Sequence, residues 1–283
     1  MDGNSADCWA RPEYFSFDED LRPIIVSGVP PDYFAEEGQL WGSPVYHWKR
    51  MEEDGFRWWV SRIDQNLKLF DLLRIDHFRG LSAYWGIAAG EKTAKNGEWY
   101  NAPGVALLQT LQEYFPEMPF VAEDLGDIDQ NVLDLRDRFD LPGMNVLQFA
   151  FGDKWHPNQY LPHRYVPQSI TYTGTHDNNT TKGWFRKIDR ETKNHLQVYL
   201  GWKPTRNDIS EQMIRLALRS VSDLTIIPMQ DILGLGAGAT MNRPGVALGN
   251  WTWRMEEEAI SPELRESLKE LLTIFSREGG IES

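Results

Sequence analysis

Short apolar runs recur along the chain at 21–27, 72–76, 119–123, 143–151, 169–175 and 224–231, each bounded by polar or turn-forming residues, as buried parallel strands are. Between them, apolar positions fall at helical spacing. Val45 to Asp54 and Phe56 to Phe70 read as helices broken at Gly55, with Ile63, Leu67 and Phe70 on one face of the second. Further helices are expected at 104–115, at 127–139 with acids in its first turn, at 180–200 and at 208–221. A last one follows Ser261 as cap and Pro262 in the first helical position, and turns Leu264, Leu268, Leu271 and Phe275 inward. Residues 1–21 lack either period and read as loop. Prolines at 30, 31 and 44 argue against a regular element over 28–44, leaving a stiff loop that carries Tyr33, Phe34 and Trp41. A second long connection, 81–103, holds Tyr84, Trp85, Trp99 and Tyr100 after a strand, where barrel loops usually build the site.

Strands alternating with helices specify an α/β fold, and the spacing suits a (β/α)8 TIM barrel. A strand-plus-helix unit takes about 30 residues when about 250 are shared among eight. The stretch from Glu123 to Asp177 has room for two such units with the 143–151 strand between them, and Asp76 to Glu123 for one unit enlarged by the aromatic connection. Six strands are countable and two are absent, so a partial barrel is expected. With no internal repeat and no low-complexity linker, 1–283 reads as a single catalytic barrel domain without a second domain.

Charge narrows the partners. The 283 residues hold 29 Lys plus Arg against 42 Asp plus Glu, a net charge of −13 that repels phosphate backbones and anionic lipid surfaces. A neutral ligand fits better, and nucleic acid and membrane are not expected partners. The single Cys8 precludes an internal disulfide framework, and no apolar stretch reaches the roughly 18 residues of a membrane span. No basic segment followed by an apolar one opens the chain, which makes the cytoplasm the expected compartment. The 12 Trp and 10 Tyr residues supply flat amphipathic rings of the kind that grip sugars. Neither a metal nor a cofactor is expected: the histidines are scattered, no acidic calcium loop occurs, and the glycines at 234–238 lack the spacing of a phosphate loop.

Candidate chemistry lies where the apolar runs end. Leu72-Leu73-Arg74-Ile75 turns polar at Asp76, His77 and Arg79; the 119–122 run ends at Glu123-Asp124; the 169–173 run is followed by His176-Asp177-Asn178. Parallel α/β sheets keep their chemistry at these C-terminal strand ends. Asp76 and Glu123, on neighbouring strand ends, can supply the carboxylate nucleophile and carboxylic acid of a retaining glycoside reaction, which lie about 5–5.5 Å apart. Arg74, two residues before Asp76 and on the same strand face, is placed to keep Asp76 ionised.

Arg74-Ile75-Asp76-His77-Phe78-Arg79-Gly80, Ala122-Glu123-Asp124-Leu125-Gly126 and Gly174-Thr175-His176-Asp177-Asn178 resemble the three catalytic-strand motifs of the amylomaltase family, 4-α-glucanotransferases also called disproportionating enzymes. The loop from Gly28 through Tyr33 and Phe34 to Trp41-Gly42 is similar to that family's active-site loop, and Met241-Asn242-Arg243-Pro244-Gly245 with Gly249-Asn250-Trp251-Thr252-Trp253-Arg254 to its C-terminal signature. The resemblance implies transfer of a segment of an α-1,4-glucan to the 4-hydroxyl of another glucan or glucose. It makes Asp76 the nucleophile, Glu123 the acid and base, and Asp177 the third acid, which holds sugar hydroxyls. Arg74, His176, Asp124, Asn242, Tyr33, Phe34 and Trp41 are then the substrate-binding residues, and maltooligosaccharides the partners. His77 stays off the site, and Trp251 and Trp253 go to core or structure. The resemblance implies that the first of the six strands here corresponds to the third of the family's barrel, so the chain is expected to be a C-terminal portion whose partner is the missing N-terminal part. An α-glucan hydrolase is the rival in chemistry, and a non-catalytic glucan-binding remnant the rival of another class.

Overall fold

Residues 2–31, 36–152, 158–246 and 248–278 are described by the computed structural model. They form two compact units, Met1–Gly143 and Met144–Ser283.

The first unit holds strands β1 (Ile25–Val29), β2 (Gln39–Pro44), β3 (Leu73–Ile75), β4 (Ala83–Ala88), β5 (Glu98–Asn101) and β6 (Phe120–Ala122). The short parallel pair β3–β6 has the register Arg74↔Val121 and Ile75↔Ala122, so the next residues along it are Asp76 and Glu123. Leu107, Leu108 and Leu111, on the helix Gly104–Tyr114, are fully buried with Phe78 and Phe120. Burying side chains of this size contributes about 2–3 kcal/mol each and makes the strand ends above them rigid.

The predicted first barrel strand is corrected here. Only its last residues, 25–27, fall in a strand, β1, which pairs antiparallel with both β2 and β4, in a four-stranded sheet of order β2-β1-β4-β5. The loop expected over 28–44 gives way to strand β2 from Gln39, because Pro30 and Pro31 precede it and Pro44 is its last residue, where a missing N–H costs no ladder bond. The aromatic connection is the hairpin β4–β5, with Trp85 opposite Trp99 and Tyr84 opposite Tyr100. Two smaller expectations also change. Ser5 caps a short helix, Ala6–Ala10, inside the presumed N-terminal loop, which buries Cys8. The helix Arg57–Leu67 stops before Phe70, leaving that ring 56% exposed while Ile63 is buried.

The second unit contains β7 (Gly143–Val146), β8 (Ser169–Tyr172) and β9 (Leu224–Ile226), in one sheet of that order; β8 and β9 are parallel. Every residue of β8 is buried, as expected for a central parallel strand. The helix predicted over 180–200 is two, Thr181–Lys187 and Arg190–Leu200, separated by extended Ile188 and restarted by Asp189, whose carboxylate accepts the Thr192 N–H at 2.7 Å. Ser261 caps Pro262–Ile274 as predicted. No helix among the described residues is long and apolar enough to cross a membrane.

Candidate active site

Strand register brings the first two acids together. The Glu123 N–H donates to the Ile75 carbonyl at 3.1 Å, which locks the ends of β3 and β6 side by side. Arg74 Nη1 lies 2.8 Å from Asp76 Oδ1, as their shared strand face requires. Asp76 is exposed, open to an incoming ligand. Glu123 is half-buried beside it and accepts two backbone N–H groups, His77 on Oε2 at 2.8 Å and Leu125 on Oε1 at 3.2 Å. Burial pushes Glu123 up to about 7; Arg74 pulls it down, the Asp76 charge raises it, and the two N–H groups lower it. A carboxyl titrating near neutrality can both give and take a proton at physiological pH. Neighbouring Asp76 and Glu123 thus differ in exposure and surroundings.

After Asp76 the chain turns through His77, whose backbone is left-handed at φ 49 and ψ 52. Trp41 meets the His77 ring edge-on, with centroids 4.8 Å apart, and its indole N–H donates to Gln39 Oε1. Trp41, Tyr84, Arg74, Asp76 and His77 help to line a cavity of about 540 Å3. Tyr33 and Phe34 lie outside the described residues.

Asp124, expected to contact sugar, sits on the loop after β6. It is 7% exposed, and its carboxylate is held by Arg136 Nη1 at 2.5 Å. A Cβ on Gly143 would come within 2.4 Å of the same carboxylate, so that glycine makes room for the pair. Asp124 therefore ties the loop after β6 to the helix Gln130–Arg138 and presents little surface to a ligand.

In the second unit, Asp177 Oδ1 accepts from Asn242 Nδ2 at 2.6 Å, and Asp177 Oδ2 lies 3.3 Å from His176 Nε2. The Asn242 N–H donates to the His176 carbonyl, so the two loops are tied by both main chain and side chain. Beneath this cluster, buried Asp231 accepts from the hydroxyls of Thr173 and Thr181 and from the Thr181 N–H, a fully satisfied anchor for the loop after β8. His176, Asp177 and Asn242 are thus brought together. Trp251, read from sequence as core or structure, is 55% exposed and lies against the His176 ring at 5.3 Å. The signal for it was a tryptophan behind Gly249-Asn250 in a stretch without apolar periodicity. His77 was likewise passed over, although it sits inside the first motif.

Asp76 and Glu123 follow the ends of the parallel pair β3–β6, where α/β folds keep their chemistry, and Glu123 is held near neutrality by burial. Residues 1–260 match the family model described as 4-alpha-glucanotransferase, and the chain belongs to that family, whose fold is of the α/β TIM-barrel type. The chain is 48% identical over 275 residues to the 4-alpha-glucanotransferase of Aquifex aeolicus, covering 97% of this chain and 56% of that protein. Against that of Thermus thermophilus it is 49% identical over 266 residues, covering 92% and 53%. The amylomaltase of Streptococcus agalactiae, solved in complex with acarbose, superposes with a TM-score of 0.93 at 39% identity, over 97% of this chain and 55% of that one. The chain spans about half the length of the curated relatives it matches.

Proposed function

We propose that this chain carries the catalytic acids of a 4-α-glucanotransferase that moves a segment of an α-1,4-glucan onto the 4-hydroxyl of another glucan or of glucose. The observation that carries the reading is the Arg74–Asp76 pair beside a Glu123 raised to about 7 on the adjoining parallel strand. In the first step the Asp76 carboxylate attacks the anomeric carbon, the bond from that carbon to the leaving 4-oxygen breaks, and the proton of Glu123 goes to that oxygen. A β-glycosyl ester of Asp76 results. In the second step Glu123, now a carboxylate, takes the proton of the acceptor 4-hydroxyl; its oxygen bonds to the anomeric carbon and Asp76 leaves as carboxylate. Both steps invert, so the α-linkage is retained.

Asp177, with His176 and Asn242, holds sugar hydroxyls in this reading, and the hydrogen bond from Asn242 presets its carboxylate. Exposed Trp41 offers a ring face to the acceptor sugar, which favours transfer over hydrolysis. Asp124 acts indirectly, by keeping Glu123 and its loop in place. The acarbose bound to the Streptococcus agalactiae relative supports an α-glucan as substrate. We read the chain as a single functional domain carrying part of the family's barrel.

The test is incubation of the full-length protein with maltotriose. Glucose and a ladder of longer maltodextrins should form with little gain in total reducing ends, and Asp76→Asn should remove the ladder. A variant keeping more than a tenth of the rate would sink the nucleophile assignment, and a steady rise in reducing ends would make the protein a hydrolase.

A further inference from the structure

His77 adjoins both proposed catalytic acids and has no task in the chemistry above. In an extended strand, successive N–H groups point to opposite sides. At 77 the left-handed turn makes two successive N–H groups converge on one residue: that of His77 on Glu123 Oε2 at 2.8 Å, and that of Phe78 on the Glu123 main-chain carbonyl at 3.1 Å. Histidine enters this backbone region more readily than most residues with a side chain. The ring is seated as well. Trp41 meets it edge-on, and Gly80 leaves it room, since a Cβ there would stand 3.0 Å from ring Cδ2. Burial lowers the imidazole below its usual range, which suits a neutral packing group.

We infer that His77 is a positioning residue, whose left-handed backbone holds one N–H on the Glu123 carboxylate and the next on the Glu123 carbonyl, and so aims the acid–base carboxylate. The inference rests on the reading of Glu123 as acid and base. The charged groups acting on Glu123 within the first unit are Arg74 and Asp76 from the neighbouring strand end, and its remaining oxygen is bound by the Leu125 N–H. An N–H donor on a carboxylate favours the ionised form, so the His77 bond opposes the burial that keeps the proton on.

NMR titration of the full chain tests this without any turnover. With 13Cδ-labelled glutamate to follow Glu123 and 15N to follow amides, the His77 amide proton should shift with the same midpoint as Glu123; a flat His77 amide through that range overturns the inference. His77→Gly and His77→Asn accept left-handed backbone and should leave the Glu123 midpoint near its original value. His77→Val resists that backbone and should move the midpoint up by about half a unit or more. Equal midpoints in all three variants, or an equal shift in all three, also overturn it. Where valine unfolds the chain, the amide titration of the unaltered protein decides alone. Coupled titration in a full-length protein that makes no maltodextrin ladder would remove the functional reading and leave the hydrogen-bond device standing.

Discussion

Burial sets the proton affinity of Glu123, and the consequence extends beyond catalysis to stability. Its folded value, about 7, lies above the ordinary 4.5, so the folded chain holds this proton more tightly than the unfolded one. Stability from this group is complete below about 4.5, declines as pH rises, and is gone above about 7. Each unit corresponds to about 1.4 kcal/mol, and partial exposure reduces the total to about 2 kcal/mol. Urea unfolding between pH 4.5 and 8 should therefore show a loss that Glu123→Gln removes; an unchanged slope would mean that Glu123 titrates normally. Asp124 makes the contrasting case, since its carboxylate is buried against a guanidinium. Removing one partner of such a pair strands the other, so Asp124→Ala should cost about 3 kcal/mol in denaturant unfolding, whereas loss of a mere sugar contact would leave stability unchanged.

Elements in the second unit are held by end contacts as much as by packing. Asp189 restarts a helix where Ile188 is extended, and Asp189→Ala should cost about 1 kcal/mol by thermal unfolding, with Asp189→Asn costing less. Arg277 acts on a helix end from a distance in sequence. Its Nε donates to the Leu218 carbonyl at 2.9 Å, and its Nη2 and Nη1 to Ser220 and Ser222 at 2.7 and 2.6 Å, covering carbonyls at and beyond the end of Ile209–Leu218. The fork geometry of guanidinium matches three carbonyls in a way a single ammonium cannot. Arg277→Lys should accordingly lose about 2 kcal/mol in the same measurement, and a loss within error would show that water replaces these bonds.

For the whole molecule the balance is between charge and exposed strand. Leu224 and Ile226, the outward residues of β9, are both exposed, and an apolar strand at a sheet edge pairs readily with another copy. A net charge of −13 opposes such contacts at low ionic strength, and salt screens that repulsion. Sedimentation should therefore show association that grows with salt and that Ile226→Lys reduces. Association unchanged by the lysine would place the contact elsewhere. In the first unit β1 is no such edge, because it lies inside its sheet, between β2 and β4.

Much of the site was legible because its signals are local. An apolar run ending in an acid marks a strand and its C-terminal end within a few residues, so Asp76, Glu123 and Asp177 were readable, and period two alone put Arg74 beside Asp76. Ser261 and Pro262 likewise announced their helix by nearest-neighbour chemistry. What the tertiary structure decided depends on partners distant in sequence. Whether Gln39–Pro44 is loop or strand turned on β1 offering it a hydrogen-bonding edge, a choice no proline count reveals. The places of Asp124 and Trp251 were tertiary matters too, the acid being buried against Arg136 and the ring exposed against His176. The protonation of Glu123 is a property of surroundings too, since burial dominates it, and burial is established only when the strands, the helix beneath them and the turn at His77 have come together.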